Sequence, residues 1–346
     1  MSRGIWTRAV VAFAAFGLGA AGLVGLGGAA SADPVGFTVI KSATAGSCQL
    51  AHVDLTTGVL TAFGPTDAAH CTFDLAVAPG GTALYGTTVT GTVGIGPPPN
   101  GATAIAQLMR YDPTTGAATN LGQIGNFNLN GPAGGFQGDL TFDQTGNLFV
   151  FLVPNFALGT TPCDSQYFCL YRVDPTNPAN ATPIGHVPQP FIVYVGLAAT
   201  CSGSVLAARA TADPSSFQGS TSTSTPGTTS STTGTPHANG SWSSVKSQSL
   251  NGETLTSVNT ATGSTTDIGS GMGANETILS LDFDSSGAVW GIGSTPGQSR
   301  AFTIDPTAGL ATAGAVLTPA STVQALAIGP PCPPIAAIIV TPRFTG

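Results

Sequence analysis

Apolar and polar residues alternate in short runs along most of the chain after residue 36. Alternation with a period of two is typical of β-strands that bury one face. Gly, Pro, Asp and Asn separate the runs, which indicates tight turns between consecutive strands. No segment beyond residue 32 has the apolar spacing that an amphipathic helix requires. We therefore predict an all-β protein.

The strand pattern repeats along the chain. One half of the repeat is an alternating strand, a turn of the Asp-Pro-Thr-Thr-Gly type and a second short strand; its copies begin at Leu50, Leu108, Leu170, Leu255 and Ala301. The other half follows the form Asp-Leu-Thr-Phe-Asp-Gln-Thr-Gly, then another strand; its copies begin at Asp74, Asp139, Gly196, Ser280 and Ala325. Four strands per unit, repeated five times, predict a β-propeller.

The two ends of the chain fit a closed ring. A strand-like segment at 37–40 has no half-unit before it, and the last half-unit, at 323–328, has no continuation. Together they complete a fifth four-stranded blade, which removes the open sheet edges of an unclosed array. We predict about five blades; six or seven are the alternative if the insertions contain weak strands.

The repeat also resembles a known group of proteins. Leu170-Tyr-Arg-Val-Asp-Pro and Leu281-Asp-Phe-Asp-Ser-Ser-Gly resemble the repeats of secreted bacterial β-propellers of uncharacterised function, in the style of quinoprotein-like and YVTN-type repeats. The resemblance covers most of the chain beyond residue 32. It implies the propeller fold, but the motif specifies turns and no chemistry.

The first residues are typical of a secretory signal peptide. Arg3 and Arg8 precede an apolar run that ends in Ala30-Ser31-Ala32, an A-x-A cleavage pattern. We therefore predict a signal peptide at 1–32 and a single propeller domain at 33–346. A membrane anchor is the alternative, because the run is close to spanning length.

Charge and cysteine content point to an exported protein without nucleic-acid or membrane partners. Cleavage at residue 32 removes two arginines and no acid, so the formal charge falls from −7 to −9. An acidic chain without basic clusters is a poor ligand for nucleic acid or anionic lipid. We expect a secreted, extracellular monomer with no cofactor, and nothing in the sequence supports calcium.

Six cysteines lie beyond the signal peptide, an even number that indicates disulfides in an exported chain. From their positions in the repeat we predict three pairs: Cys48 with Cys71, Cys163 with Cys169, and Cys201 with Cys332.

The long insertions share one face of the predicted disc. Both tight turns of a unit follow alternate strands and lie on one face, here called the plain face. The other connections lie on the opposite face, here called the loop face, and they include every long insertion: 87–104, 126–137, 153–168 and 211–252. The Ser/Thr/Gly-rich insertion at 211–252 is predicted to be disordered. Insertions gathered on one face of a repeat array commonly form its binding surface.

The candidate catalytic residues are Asp74 and Asp139, which occupy equivalent positions in neighbouring units. Both are predicted near the central axis, where two carboxylates can divide acid and base roles. The alternative is a structural role in which each carboxylate bonds backbone amides between blades. Asp54, Asp112, Asp174 and Asp305 precede turn residues and are interpreted as turn formers. His52, Arg110 and Arg172 are expected on a solvated outer face.

Two functions follow from these observations. The first is a secreted, non-catalytic binding or scaffold propeller that engages a protein or glycan through its loop face. The second is an extracellular polysaccharide-active enzyme that uses Asp74 and Asp139.

Overall fold

The computed structural model describes these residues: 35–42, 46–91, 103–129, 139–154, 163, 168–186, 192–200, 203–211, 251–273, 277–295 and 298–329. All of them lie in the unit that spans Asp33–Gly346. The predicted signal peptide and most of the insertion at 211–252 fall outside the described residues.

Twenty strands form five antiparallel sheets of four strands. Blade 1 contains, from the axis outwards, β20 (Val323–Ile328), β1 (Val35–Lys41), β2 (Cys48–Asp54) and β3 (Leu60–Asp67). Blade 2 contains β4 (Leu75–Val77), β5 (Leu84–Thr90), β6 (Ile105–Tyr111) and β7 (Ala118–Gln123). Blade 3 contains β8 (Leu140–Phe142), β9 (Leu148–Leu152), β10 (Cys169–Val173) and β11 (Thr182–His186). Blade 4 contains β12 (Ile192–Ala199), β13 (Val205–Thr211), β14 (Asn251–Val258) and β15 (Thr265–Ile268). Blade 5 contains β16 (Thr277–Phe283), β17 (Val289–Thr295), β18 (Gln298–Ile304) and β19 (Ala311–Val316).

The protein is a five-bladed β-propeller. The inner strands β20, β4, β8, β12 and β16 contact one another in a closed cycle. Blade 1 is completed by both ends of the propeller domain, because β20 pairs with β1 through Gly36 and Ile328 and through Thr38 and Leu326. The predicted fold and its closure are therefore confirmed. The described helical structure consists of two 3-10 turns, Ala68–His70 and Pro178–Asn180.

The hydrophobic core lies between adjacent blades. Leu50 of blade 1, for example, packs with Leu84 and Tyr111 of blade 2, and Val150 of blade 3 packs with Leu108 of blade 2. Alternate residues of each strand face opposite neighbours, so each blade buries both faces of its inner strands. This packing explains why the inner strands read as apolar runs.

The fourth strand of a blade lies against the outer turn of the next blade. A Cβ on Gly64 of β3 would stand 2.9 Å from the Cα of Gly116, in the β6–β7 turn. Gly185 of β11 meets Thr262 and Gly263 of the β14–β15 turn in the same way. These approaches require glycine, and they set the spacing between blades at the rim.

Candidate functional site

The five equivalent positions of the inner strands form one layer around the axis. They are Asp74, Asp139, Gly196, Ser280 and Ala325, and all five are buried. Asp74 is 0% exposed and Asp139 is 1% exposed. Both candidate acids therefore lie at the axis as predicted, but in a layer that is closed to solvent.

The carboxylate of Asp74 bonds two other blades. The Ser280 hydroxyl donates to Asp74 Oδ1 at 2.5 Å, and the Leu140 amide donates to Oδ2 at 3.2 Å. Blade 5, which carries Ser280, is not a neighbour of blade 2, so the first bond spans the axis. The Ser280 hydroxyl also accepts from the Leu326 amide at 3.0 Å, which joins blade 1 to the network.

Burial raises the pKa of Asp74 well above its ordinary value, and the nearby charge of Asp139 raises it further. Hydrogen bonds from Ser280, Leu75 and Leu140 act in the opposite direction. The neutral acid is favoured because two carboxylates in one dry layer repel each other when both are ionised. The Asp74 carboxyl therefore retains its proton to a higher pH than an exposed aspartate does.

A third acid lies one layer towards the plain face. Asp282 is two residues beyond Ser280 in β16, and its Oδ2 accepts from the Ile328 amide of β20 at 2.8 Å. Its Oδ1 accepts from the Phe283 amide at 2.8 Å. Burial raises the pKa of Asp282 to about 7.

Asp74, Ser280 and Asp282 share one hydrogen-bonding arrangement. Each side chain points to the next blade and accepts from an inner-strand amide there: Leu140, Leu326 and Ile328, respectively. These amides lie on the inner edge of each sheet, where no further strand can pair with them. Buried edge amides need such acceptors, so these three side chains hold neighbouring blades together.

The layer has no acid in blade 4 for a steric reason. Gly196 has φ of 95°, and a Cβ there would stand 2.6 Å from the amide nitrogen of Leu281. The backbone of β12 thus approaches β16 too closely for a side chain at this position. The internal repeat aligns Gly196 with Asp74 correctly, but the sequence alone does not reveal this backbone contact.

Glu253, a further buried acid, was not predicted. It lies in β14, is 8% exposed, and accepts the Ile278 amide with both carboxylate oxygens at 2.9 and 3.1 Å. Burial raises its pKa to about 8. Glu253 lies two residues before the repeat copy that begins at Leu255, so the repeat motif does not include it, and only the packing of blade 4 against blade 5 brings it to Ile278.

The recurring aspartates are turn formers, as predicted. Asp54 Oδ1 accepts from the amide and hydroxyl of Thr56 at 2.9 and 2.7 Å and from the Thr57 amide at 3.0 Å. The Thr56 hydroxyl, followed by the Thr57 amide, lowers the pKa of Asp54 to about 2. The same turn recurs at Asp112, Asp174 and Asp305.

Of the three residues expected on a solvated outer face, two are exposed: Arg110 and Arg172. The expectation holds only in part for His52, which is half-buried. Its ring stacks on Phe63 at 4.5 Å between centroids and lies 5.0 Å from Phe37. Cross-strand pairing of β1, β2 and β3 places these rings together, and apolar surface is better buried against an aromatic partner.

The predicted disulfide between Cys48 and Cys71 is confirmed, with Cα atoms 4.9 Å apart. Cys163 and Cys169 are also bonded, with Cα atoms 5.5 Å apart. Cys201 and Cys332 lie outside the described residues. Disulfides are consistent with an oxidising, extracellular or periplasmic location.

The ends of the insertions on blades 2 and 3 are built into the core. Ala104 and Leu129 are fully buried, and the Leu129 amide donates to the Ala104 carbonyl at 2.7 Å. Leu129 also forms an isolated β-bridge with Pro154. Phe127 stacks on Tyr171 of β10 at 5.2 Å between centroids. Three connections therefore share one apolar layer on the loop face.

The first insertion begins later than the sequence suggested. β5 continues to Thr90, so the connection to β6 spans 91–104 rather than 87–104. The corresponding connections are 153–168 in blade 3 and 212–250 in blade 4, but only 42–47 in blade 1 and 296–297 in blade 5. The long connections are thus concentrated on three consecutive blades.

The described residues contain no group of three or more His, Cys, Asp or Glu side chains placed to hold a metal ion. They also contain no helix long and apolar enough to cross a membrane.

No protein-family model matches the chain, and no curated protein sequence is significantly similar to it. Solved structures similar to this chain include TolB from Acinetobacter baumannii, with a TM-score of 0.42 and 10% identity over 86% of this chain. This chain spans 54% of the TolB chain. A gluconolactonase from Xanthomonas campestris has a TM-score of 0.40 and 15% identity over 79% of this chain and 73% of its own. A virginiamycin B lyase from Staphylococcus aureus has a TM-score of 0.37 and 11% identity over 85% of this chain and 75% of its own. These likenesses concern the propeller fold alone, since enzymes and binding proteins share it.

Proposed function

We propose that this protein is an exported, non-catalytic β-propeller that binds a protein or a glycan through its loop face. The observation that carries the proposal is the buried anchorage of the insertions on blades 2 and 3. Ala104, Leu129 and Pro154 tie three connections into one layer. Insertions that had drifted freely in solvent would not need buried, hydrogen-bonded ends, whereas a preorganised binding surface does.

The polar side chains at the axis support the same proposal. Asp74, Ser280 and Asp282 use their oxygens to bond inner-strand amides of other blades. An acid that is fully buried and committed to such bonds is poorly placed to reach a polymer. Binding by the loop face leaves this network undisturbed.

Loop trimming tests the proposal with a matched control. Gly91 contacts the Thr103 carbonyl, so residues 92–102 can be replaced by a short Gly-Ser linker without moving the ends. Thr211 pairs with Asn251, so residues 212–250 can be replaced by a two-residue Asn-Gly turn. The probes are a glycan microarray of cell-envelope and host polysaccharides and a phage-displayed peptide library.

We expect the chain from Asp33 to bind members of one of the two libraries. Removing 92–102 should weaken binding at least tenfold, and removing 212–250 should leave it unchanged. Binding that survives the first deletion would contradict the loop-face proposal, as would the absence of binding to both libraries.

The second candidate is a polysaccharide-active enzyme, and the raised pKa of Asp74 favours it because a general acid must hold a proton near neutral pH. On this hypothesis, Asp139→Asn abolishes turnover of a polysaccharide while the variant stays folded. Unchanged turnover in a folded Asp139→Asn protein would dismiss it.

A further inference from the structure

A buried histidine joins blade 1 to blade 2. The chain passes from β3 of blade 1 to β4 of blade 2 through the 3-10 turn Ala68–His70. His70 is 0% exposed, and both of its ring nitrogens have a hydrogen-bond partner. Nδ1 lies 2.6 Å from Asp67 Oδ1, and Nε2 lies 2.6 Å from the carbonyl oxygen of Gly116, in the β6–β7 turn of blade 2. The ring therefore bridges the two blades.

Both partners of the His70 ring are acceptors. The Gly116 carbonyl has no hydrogen to donate, and an ionised Asp67 carboxylate has none either. Each ring nitrogen must therefore carry a proton for both bonds to form at once, which makes the ring an imidazolium cation. A buried cation is costly without an opposite charge, and Asp67, whose side chain is 48% exposed, supplies that charge from the surface.

A neutral His70 ring cannot keep both bonds. A neutral imidazole has one N–H and one bare nitrogen. The proton on Nδ1 is held more strongly than the proton on Nε2, because its acceptor is a charged carboxylate and not a carbonyl. Loss of the Nε2 proton places a nitrogen lone pair 2.6 Å from the Gly116 oxygen, so the two atoms must move apart. The bridge then opens on the side of blade 2.

A second bond from the same 3-10 turn to blade 2 does not depend on pH near neutrality. The Tyr111 ring of β6 lies 5.5 Å from the His70 ring between centroids, and its hydroxyl donates to the Ala69 carbonyl at 2.8 Å. Burial raises the pKa of Tyr111 well above its ordinary value, so the hydroxyl keeps its proton. This bond therefore serves as an internal reference for the His70 bond.

Other titratable groups face the bridge from the neighbouring elements. Asp112 begins the turn that contains Gly116, and hydrogen bonds from Thr114 and Thr115 lower its pKa to about 2, so its charge is constant above pH 5. On blade 1, His52 stacks on Phe63, which lies beside Gly116. The residue after His70, Cys71, is bonded to Cys48 and does not titrate.

We infer that His70 is a pH-sensitive latch between blades 1 and 2. In acid, the imidazolium joins Asp67 of blade 1 to Gly116 of blade 2. When the pH rises and the ring loses its Nε2 proton, the bond to Gly116 is lost and the Tyr111 hydroxyl still holds the 3-10 turn. The joint between the two blades is therefore tighter in acidic than in alkaline surroundings.

Nitrogen-15 NMR of the histidine rings tests the protonation state directly. All four histidines lie beyond residue 32, so the chain from Asp33 contains them all, and replacing each by glutamine in turn assigns their signals. We expect both His70 nitrogens to be protonated at pH 5.5 and Nε2 alone to lose its proton as the pH rises to 8.5. A bare nitrogen at pH 5.5, loss of the Nδ1 proton first, or retention of both protons at pH 8.5 would overturn the latch.

Urea unfolding at pH 5.5 and pH 8.5 tests whether the latch holds the blades. The parent should exceed His70→Gln in its unfolding midpoint by ~0.5 M more at pH 5.5 than at pH 8.5, as expected for one charge-assisted hydrogen bond. The control Tyr111→Phe removes the neighbouring bond and should lower the midpoint equally at both pH values. An equal effect of His70→Gln at both pH values would refute the latch.

The ion pair has its own matched variants. Asp67→Asn keeps an acceptor oxygen for Nδ1 but removes the charge, so the NMR transition of His70 should move to lower pH by ~1 unit. Asp112→Asn should leave the transition in place, and Asn259 forms the equivalent turn in blade 4, so this control keeps the turn intact. An unchanged transition in Asp67→Asn would show that the carboxylate does not hold the cation, which contradicts the latch.

Discussion

Replacing Asp282 by asparagine should stabilise the propeller above neutral pH and have little effect near pH 5. The acid is 8% exposed, and burial raises its pKa from the ordinary 3.8 to about 7. Its folded pKa exceeds its unfolded pKa, so the folded state binds the proton more tightly. The stability that this group contributes is present below pH 4 and is lost as the pH rises to about 7.

The size of the effect follows from the shift. Each pKa unit corresponds to about 1.4 kcal/mol, so three units set an upper bound of ~4 kcal/mol for the cost of ionising Asp282 in the folded protein. Asparagine cannot ionise and avoids this cost, although it replaces one acceptor oxygen by an amide. We therefore expect Asp282→Asn to be more stable than the parent by ~1–3 kcal/mol at pH 8.5.

Urea unfolding at pH 5 and pH 8.5 measures the difference, and Asp284→Asn is the matched control. Burial acts to raise the pKa of Asp284, but hydrogen bonds from Ser286 and Trp290 outweigh it and hold the pKa below its ordinary value. This variant should lose stability equally at both pH values, because an acid with a lowered pKa is ionised at each. Equal destabilisation of Asp282→Asn at both pH values would refute the reasoning, since it would mean that Asp282 is an ionised acceptor.

Two further predictions concern the axis and the first disulfide. Gly196→Ala should lower the free energy of unfolding by more than ~3 kcal/mol, because its Cβ would meet the backbone of blade 5. The control Gly146→Ala has a similar φ and no atom within 4 Å of the added Cβ, so it should cost about 1 kcal/mol. Equal losses in thermal or urea unfolding would show that the close approach is absent. Replacing Cys48 and Cys71 together by serine should cost ~3 kcal/mol, as expected for the loop they close, and an unchanged midpoint of urea unfolding would contradict a native bond.

Local chemistry was predictable from the sequence. The turn at Asp54 is formed by bonds to residues two and three positions away, so the motif contains everything that determines it. Closure of blade 1 was also predictable. The strand at 37–40 has no half-unit before it, and the half-unit at 323–328 has no continuation, so the two together make one complete blade.

Contacts across the ring were not predictable in the same way. The bond between Ser280 and Asp74 joins residues 206 positions apart in blades that are not neighbours, and it depends on how narrow the axis is. Glu253 reaches Ile278 through the packing of two sheets, and it lies just outside the repeat motif that begins at Leu255. The contact between Gly64 and Gly116 has a sequence pattern that could have indicated it. In the fourth strand an apolar residue is followed by glycine, and this pair recurs at Leu121-Gly122 and Ile184-Gly185.

The central claim is that the axial side chains hold the blades together and that the loop face binds the ligand. Native-state hydrogen exchange at the amides of Leu140, Leu326 and Ile328 tests that assignment most directly, because Asp74, Ser280 and Asp282 accept their hydrogens. If the axis is a closed structural layer, these amides exchange only by global unfolding and rank with the slowest in the protein. Exchange as fast as that of the surface turns would show an open axis that solvent and a substrate can enter, and it would contradict the assignment.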